Sequence, residues 1–259
     1  MSNQPIGIFD SGVGGTSVYK EIEALLPNEN TIYLADSANA PYGNKSAEDI
    51  LRLSIKNTEL LLSRNCKLIV VACNTATTNA ITALRASYNV PFIGIEPAIK
   101  PASLNSKTKA VGILATKGTL SSQLFHNTTN LYKNDVRVIE QIGEGIVPLI
   151  EAGKTLSSEM RTLLTIYLEP MIDADIDYLV LGCTHYPYLL PLLLDILPNH
   201  VKIIDSGEAV ARQTKAILET QNIINTQTST ARHQFYTNGS TEVMHLLLDK
   251  KHKVEFLKF

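Results

Sequence analysis

One strand-to-turn pattern occurs twice in this chain, with a thiol at the same point of each copy. The first reads Lys67-Leu-Ile-Val-Val-Ala-Cys73-Asn74-Thr75 and the second Asp177-Tyr-Leu-Val-Leu-Gly-Cys183-Thr184-His185. A further pair echoes it, Ile6-Gly-Ile-Phe-Asp-Ser-Gly12 against Val111-Gly-Ile-Leu-Ala-Thr-Lys-Gly118. Gly7 and Gly112 lie 105 residues apart, Cys73 and Cys183 110. A near-constant offset predicts a duplicated unit carrying one thiol per copy. Two such units facing each other would set a sulfur on each side of a small molecule. Few reactions need the same acid–base group on both faces of one atom.

Short β-branched runs alternate with longer helical segments, the pattern of βα units around a parallel sheet. It predicts strands near 5–10, 31–36, 67–72, 91–95, 109–114, 136–140, 177–182, 201–205 and 233–237. Helices are predicted over 15–26, 46–64, 75–88, 118–130, 157–173, 186–197, 206–222 and 240–250, with 223–232 as a linker. The expected fold is α/β, two pseudo-symmetric doubly wound domains with mainly parallel sheets and the active site in the cleft between them. The offset divides the chain into residues 1–97 plus 208–259, with Cys73, and residues 98–207, with Cys183. In open parallel sheets, ligands sit beyond the carboxyl ends of the strands. Asp10, Ser11, Asp36, Cys73, Asn74, Thr116 and Cys183 to His185 all fall there.

Charge and cysteine usage exclude several classes. A formal net charge of −2 and no Lys/Arg stripe argue against nucleic acid as a partner. An apolar stretch of about 18 residues, as a membrane span needs, is lacking, and the first residues carry no secretory signal pattern. Three cysteines in 259 residues are too few and too odd for a disulfide framework, which points to a reducing cytoplasm.

Free cysteine is often a small buried hydrophobe. Cys73 and Cys183, however, both follow a strand and precede polar side chains, a setting for chemistry. Cys66, before its strand, is read as structural. The thiolate is the working form, and a helix amino terminus beneath each sulfur would favour it. His185 reads equally as a proton donor to Cys183 or as a core histidine. Asp10-Ser-Gly-Val-Gly-Gly-Thr16 is a glycine-rich turn suited to an anion or small polar ligand, in register with neither a dinucleotide fingerprint nor a P-loop. Asp10 reads equally as ligand contact or helix cap. Asp36 to Gly43 is a long turn that holds Tyr42 at the sheet edge. Glu151 reads as a solvated helix-end acid. Cys183-x-His185 has the wrong spacing for a zinc pair, so no metal is expected.

Five motifs in order then identify a resemblance covering almost the whole chain: Phe9-Asp-Ser-Gly-Val-Gly-Gly15, Ala40-Pro-Tyr-Gly43, Ala72-Cys-Asn-Thr-Ala-Thr77, Leu181-Gly-Cys-Thr-His-Tyr-Pro187 and Ile204-Asp-Ser-Gly207. Together they resemble the glutamate racemase family. The resemblance implies cofactor-free interconversion of L- and D-glutamate for peptidoglycan synthesis, and a homodimer. It implies Cys73 and Cys183 as the acid–base thiols, Cys73 serving D-glutamate and Cys183 L-glutamate. The substrate contacts it implies are Asp10, Ser11, Pro41, Tyr42, Gly43, Asn74, Thr75, Thr116, Thr119, Thr184 and His185. Asp10, Glu151 and His185 would tune the thiols. The Asp36-Ser37-Ala38-Asn39 run departs from the family's commoner Asp-Thr-Ala. Rival readings are a racemase for aspartate or hydantoins, and a binding protein that holds glutamate without exchanging its α-hydrogen.

Overall fold

The computed structural model describes residues 2–132, 135–227 and 230–259. It holds two sheets. The first contains β1 (Ile6–Asp10), β2 (Thr31–Ala35), β3 (Leu68–Val71) and β4 (Phe92–Gly94). The second contains β5 (Ala110–Ala115), β6 (Arg137–Ile142), β7 (Tyr178–Gly182) and β8 (Lys202–Ile204). The chain then returns to the first sheet with β9 (His233–Thr237) and β10 (Val254–Phe256). The strand orders are β10-β9-β2-β1-β3-β4 and β6-β5-β7-β8. Stripped of β9 and β10, the two orders are the same, so β1 corresponds to β5 and β3 to β7. Every ladder among the described residues is parallel.

The central strands β1, β3, β5 and β7 are buried along their whole length. Helices cover both faces of a parallel sheet, which is why these segments read as unbroken Val/Ile/Leu runs rather than alternating ones. Two core clusters flank each sheet, one per face. Local signals start the helices. Ser46 Oγ accepts the Asp49 N–H at 3.1 Å to cap Ala47–Ser63, whose first turn carries Glu48 and Asp49. Ser157 does the same for Ser158–Asp173. An oxygen acceptor at the cap and acids in the first turn offset the unpaired N–H groups there.

Several expectations need correction. Helices Ile99–Asn105 and Ile146–Glu151, which hold Pro101 and Pro148, lie outside the predicted helices. Each proline sits in the first turn, where no intrahelical N–H is required. The 118–130 helix is two, Lys117–Leu120 and Gln123–Asn130, the second capped by Ser122. The 186–197 helix opens as a 3₁₀ turn, Tyr186–Leu189, before Leu190–Ile196, with Pro187 and Pro191 limiting the donors available. Short β10 was missed for want of a readable alternation. Residues 228 and 229 of the expected linker lie outside the described residues. Its first half is strapped down: Lys67 Nζ donates to Ile223 O at 2.8 Å and pairs with Glu29 at 2.6 Å, and Glu29 accepts the Asn225 N–H. Among the described residues, no helix is long and apolar enough to cross a membrane.

Candidate active site

In each sheet the connections reverse direction about the first strand, so β1/β3 and β5/β7 mark the two switch points where a crevice opens. The crevices meet. Ser11 follows β1, Cys73 to Thr75 follow β3, Thr116 follows β5, and Cys183 to His185 follow β7; all line one tight cavity of about 10 Å³. Pro41, Tyr42 and Gly43 close another side. Both sulfurs are free thiols, one from each sheet. Cys66, also free, is buried among the β3-side core residues, and burial pushes its thiol up to about 12. A wider vestibule shares Pro41, Gly43, Thr116 and Val147 with the cavity and carries Lys45 and Lys117 at its rim.

The two thiols stand in different settings. Cys73 caps the helix Asn74–Ser87, and its Sγ accepts the Ala76 N–H at 3.4 Å. The Ser11 hydroxyl lies 3.6 Å from the same sulfur. Burial holds the Cys73 thiol well above its ordinary value, and the nearby Asp10 carboxylate adds to this. Asp10 is itself raised by burial, against the opposing effects of His185 and the Gly15 N–H. Cys183 has no regular helix terminus beneath it, since the 3₁₀ turn intervenes. It has instead a relay. Cys183 Sγ is 3.7 Å from His185 Nδ1, and His185 Nε2 is 2.7 Å from Glu151 Oε1.

Glu151 is not the solvated acid its sequence neighbourhood suggests. Its side chain is 16% exposed, and beyond His185 it accepts the Val13 N–H at 2.7 Å and the Ser37 hydroxyl at 3.0 Å. Burial raises Glu151, but the bonds from His185, Val13 and Ser37 outweigh it, and the net shift is downward. Burial alone would lower His185; acceptors at both ring nitrogens, Cys183 and Glu151, reverse this and hold it well above 6.5. The sign of the consequence follows from linkage. A raised His185 contributes stability that is whole below 6.5 and lost as pH climbs through its folded value. A lowered Glu151 contributes stability that is whole above 4.5 and lost as pH falls through its folded value. Thermal unfolding should therefore show Glu151→Gln least stable relative to the parent between pH 4.5 and 6.5, the gap narrowing on the alkaline side.

The glycine-rich turn after β1 also differs from expectation. None of its glycines has positive φ, so it is not shaped as an anion nest. It is a floor for the relay. A Cβ built on Gly12 would fall on Glu151 Oε1, and one on Gly14 on His185 Nδ1. Tyr33, fully buried, donates its hydroxyl to Gly12 O and fixes the turn from below. Asp10 Oδ2 accepts the Gly15 N–H at 2.8 Å, and its Oδ1 lies 3.5 Å from the Thr184 hydroxyl. Asp10 thus stands behind the cavity wall and does not line it. Thr119 is likewise fully buried; its hydroxyl meets those of Thr75 (3.3 Å) and Thr116 (3.0 Å), which do line the cavity. Val147, the second residue of its helix, lines the cavity unforeseen. Asn74 Oδ1 is buried with no protein partner among the described residues, an orphan acceptor at the cavity wall of the kind a polar ligand satisfies.

Comparison with known proteins agrees with this architecture. Residues 6–214 match the Asp/Glu/Hydantoin racemase family. A glutamate racemase of Herpetosiphon aurantiacus is 46% identical over 239 residues, 92% of this chain and 94% of the relative. One from Ectopseudomonas mendocina is 46% identical over 249 residues, covering 96% and 94%. Among solved structures, Escherichia coli glutamate racemase in complex with L-glutamate and activator UDP-MurNAc-ala superposes with a TM-score of 0.87 at 34% identity, over 98% of both chains. The Francisella tularensis enzyme with D-glutamate gives 0.86 at 28%, over 99% of this chain and 98% of that one. On a family match spanning most of its length and relatives this similar, the chain belongs to the glutamate racemases of the Asp/Glu/Hydantoin racemase family, and so to the amino-acid isomerases.

Proposed function

We propose that this protein interconverts L- and D-glutamate by proton exchange at the α-carbon, with Cys73 and Cys183 as the two acid–base groups. The observation that carries the reading is the single cavity lined by two free thiols from equivalent points of a duplicated fold. One thiolate takes the α-proton: the Cα–H bond breaks, an S–H bond forms, and the electron pair delocalises into the substrate carboxylate. The opposing thiol gives its proton to the other face, its own S–H bond passing to Cα. No electron leaves the system, and the thiol and thiolate have exchanged places. Near-attack distances of about 3–3.5 Å from each sulfur to the α-carbon would set the sulfurs roughly 7 Å apart.

Ser11, Asn74, Thr75 and Thr184 offer hydroxyl, amide and backbone donors to the carboxylate as charge develops on it. The orphan Asn74 Oδ1 suits the substrate ammonium. Pro41, Tyr42, Gly43 and Thr116, with Thr119 behind, would wall the side chain, and Lys45 and Lys117 outnumber Glu144 in the vestibule lining, leaving it one positive charge toward a dicarboxylate. His185, backed by Glu151, stands beside Cys183 as the base toward L-glutamate, while the buried Cys73 thiol is held protonated as the acid. Asp10 is the group next to Cys73 when the roles reverse. Related enzymes are named for this substrate and hold its two enantiomers in their structures. The same reading takes residues 1–97 with 208–259 and residues 98–207 as the two domains of a cytoplasmic homodimer that supplies D-glutamate for peptidoglycan.

Incubating the protein with L-glutamate in D₂O, without added cofactor, is expected to yield a racemic mixture with deuterium at the α-position. Binding without deuterium uptake would overturn the reading in favour of a solute-binding protein.

A further inference from the structure

The strands β9 and β10 have no counterpart in the second half, so something specific to the first unit accounts for them. The turn that leaves β9, Asn238-Gly239, reaches the loop that follows β2 at three points. Asn238 Nδ2 donates to Asp36 Oδ1 at 2.5 Å, and Asn238 Oδ1 accepts the Ala38 N–H at 2.8 Å. Gly239 lies so close that a Cβ there would stand 2.7 Å from Ser37 Cβ. What these points hold is the edge of the catalytic cavity. Asp36 is fully buried and accepts the Tyr42 hydroxyl at 2.5 Å and the Asn39 amide at 2.8 Å. Lys56 Nζ, 3.6 Å away, balances its charge. Tyr42 lines the cavity, and Ser37 donates to Glu151, which holds His185 against Cys183.

We infer that Asn238 is a positioning residue: the extra carboxy-terminal strands brace the β2 loop so that Tyr42 and Ser37 present fixed geometry to the cavity and to the Glu151–His185 relay. The side chain suits the task. An amide holds an NH₂ group and an acceptor oxygen in one plane; here the NH₂ meets the Asp36 carboxylate and, at 3.3 Å, Phe259 O, and the oxygen a backbone N–H. Without it, Asp36 loses a charge-assisted partner and the Ala38 N–H its acceptor. The loop would then sample positions in which Ser37 releases Glu151. A misplacement of about 1 Å at distance from the chemistry costs on the order of 10²-fold in rate.

The inference rests on the two-thiol reading, and the experiment separates the two. Turnover by the parent protein tests the reading; the ratio of variant to parent tests the brace. Asn238→Ala, Asn238→Ser and Asn238→Asp are compared for kcat and KM in both directions, with the folded fraction of each fixed by thermal unfolding. Expected is a fall of about 30- to 100-fold in kcat/KM for Asn238→Ala, carried by kcat as well as KM. Asn238→Asp should be worse, because it sets a carboxylate against Asp36. Combined with Ser37→Ala, Asn238→Ala should cost less than the product of the two single losses, since both act through Glu151. Parent-like kcat and KM in folded Asn238→Ala or Asn238→Ser would overturn the inference. So would losses that track the unfolded fraction, or strict multiplicativity with Ser37→Ala.

Discussion

Replacing either Cys73 or Cys183 by serine is expected to abolish measurable racemisation, a loss of about 10³-fold or more, while leaving the fold intact. Serine is close to cysteine in size, so the cavity wall persists and the helix cap at Cys73 is preserved, serine being a preferred cap. What disappears is the acid–base thiol itself, and positioned proton transfer alone contributes about 10²–10⁴-fold. The two variants should fail differently. Cys73→Ser retains the Cys183–His185–Glu151 relay. It should still wash α-deuterium into or out of the enantiomer presented to Cys183, without inversion. Cys183→Ser should do so only on the opposite hand, and more slowly, because burial opposes the Cys73 thiolate. Mass spectrometry and chiral chromatography of each enantiomer in D₂O measure both. Racemisation at the parent rate by either variant would exclude the two-base scheme.

The second large effect is expected from a residue that carries no functional group. Gly14→Ala would place a methyl on His185 Nδ1, the nitrogen that faces Cys183. His185 is 1% exposed and has nowhere to retreat except away from the sulfur or from Glu151. Overpacking a tight site costs about 1–3 kcal/mol in stability, but the kinetic loss should be larger, on the order of 10²-fold. It should fall on the step that uses Cys183. Stopped measurements of α-proton exchange from each enantiomer, beside thermal unfolding, check this; equal losses on both hands would show the turn to be merely structural. Because Gly14 has an ordinary negative φ, no relief of backbone strain enters the comparison.

That glycine also shows where reading the chain reaches its limit. The thiols, their strands and the duplication were legible because each is a local pattern, repeated. The nine strands before β10 follow from β-branched runs for the same reason. The glycine-rich turn, by contrast, looks like a ligand cradle in isolation. Its partners, Glu151 and His185, lie well over a hundred residues away, and no local pattern records such an approach. Glu151 misleads in the same way: its neighbours are those of a surface helix end, and the N–H of Val13 and the hydroxyl of Ser37 are what bury it. Asn238 had no signal at all beyond its place after a strand. The helices at Ile99 and Ile146 run only seven and six residues, too short to show a helical period.

The unlike surroundings of the two sulfurs carry a kinetic obligation. Mirror-image amino acids have equal free energy in water, so the final mixture is one to one whatever stands beside each sulfur. A helix terminus on one hand and a histidine–carboxylate pair on the other cannot tilt that ratio. They can only make one enantiomer turn over faster at saturation, and the Haldane relation then demands that its Michaelis constant rise by the same factor.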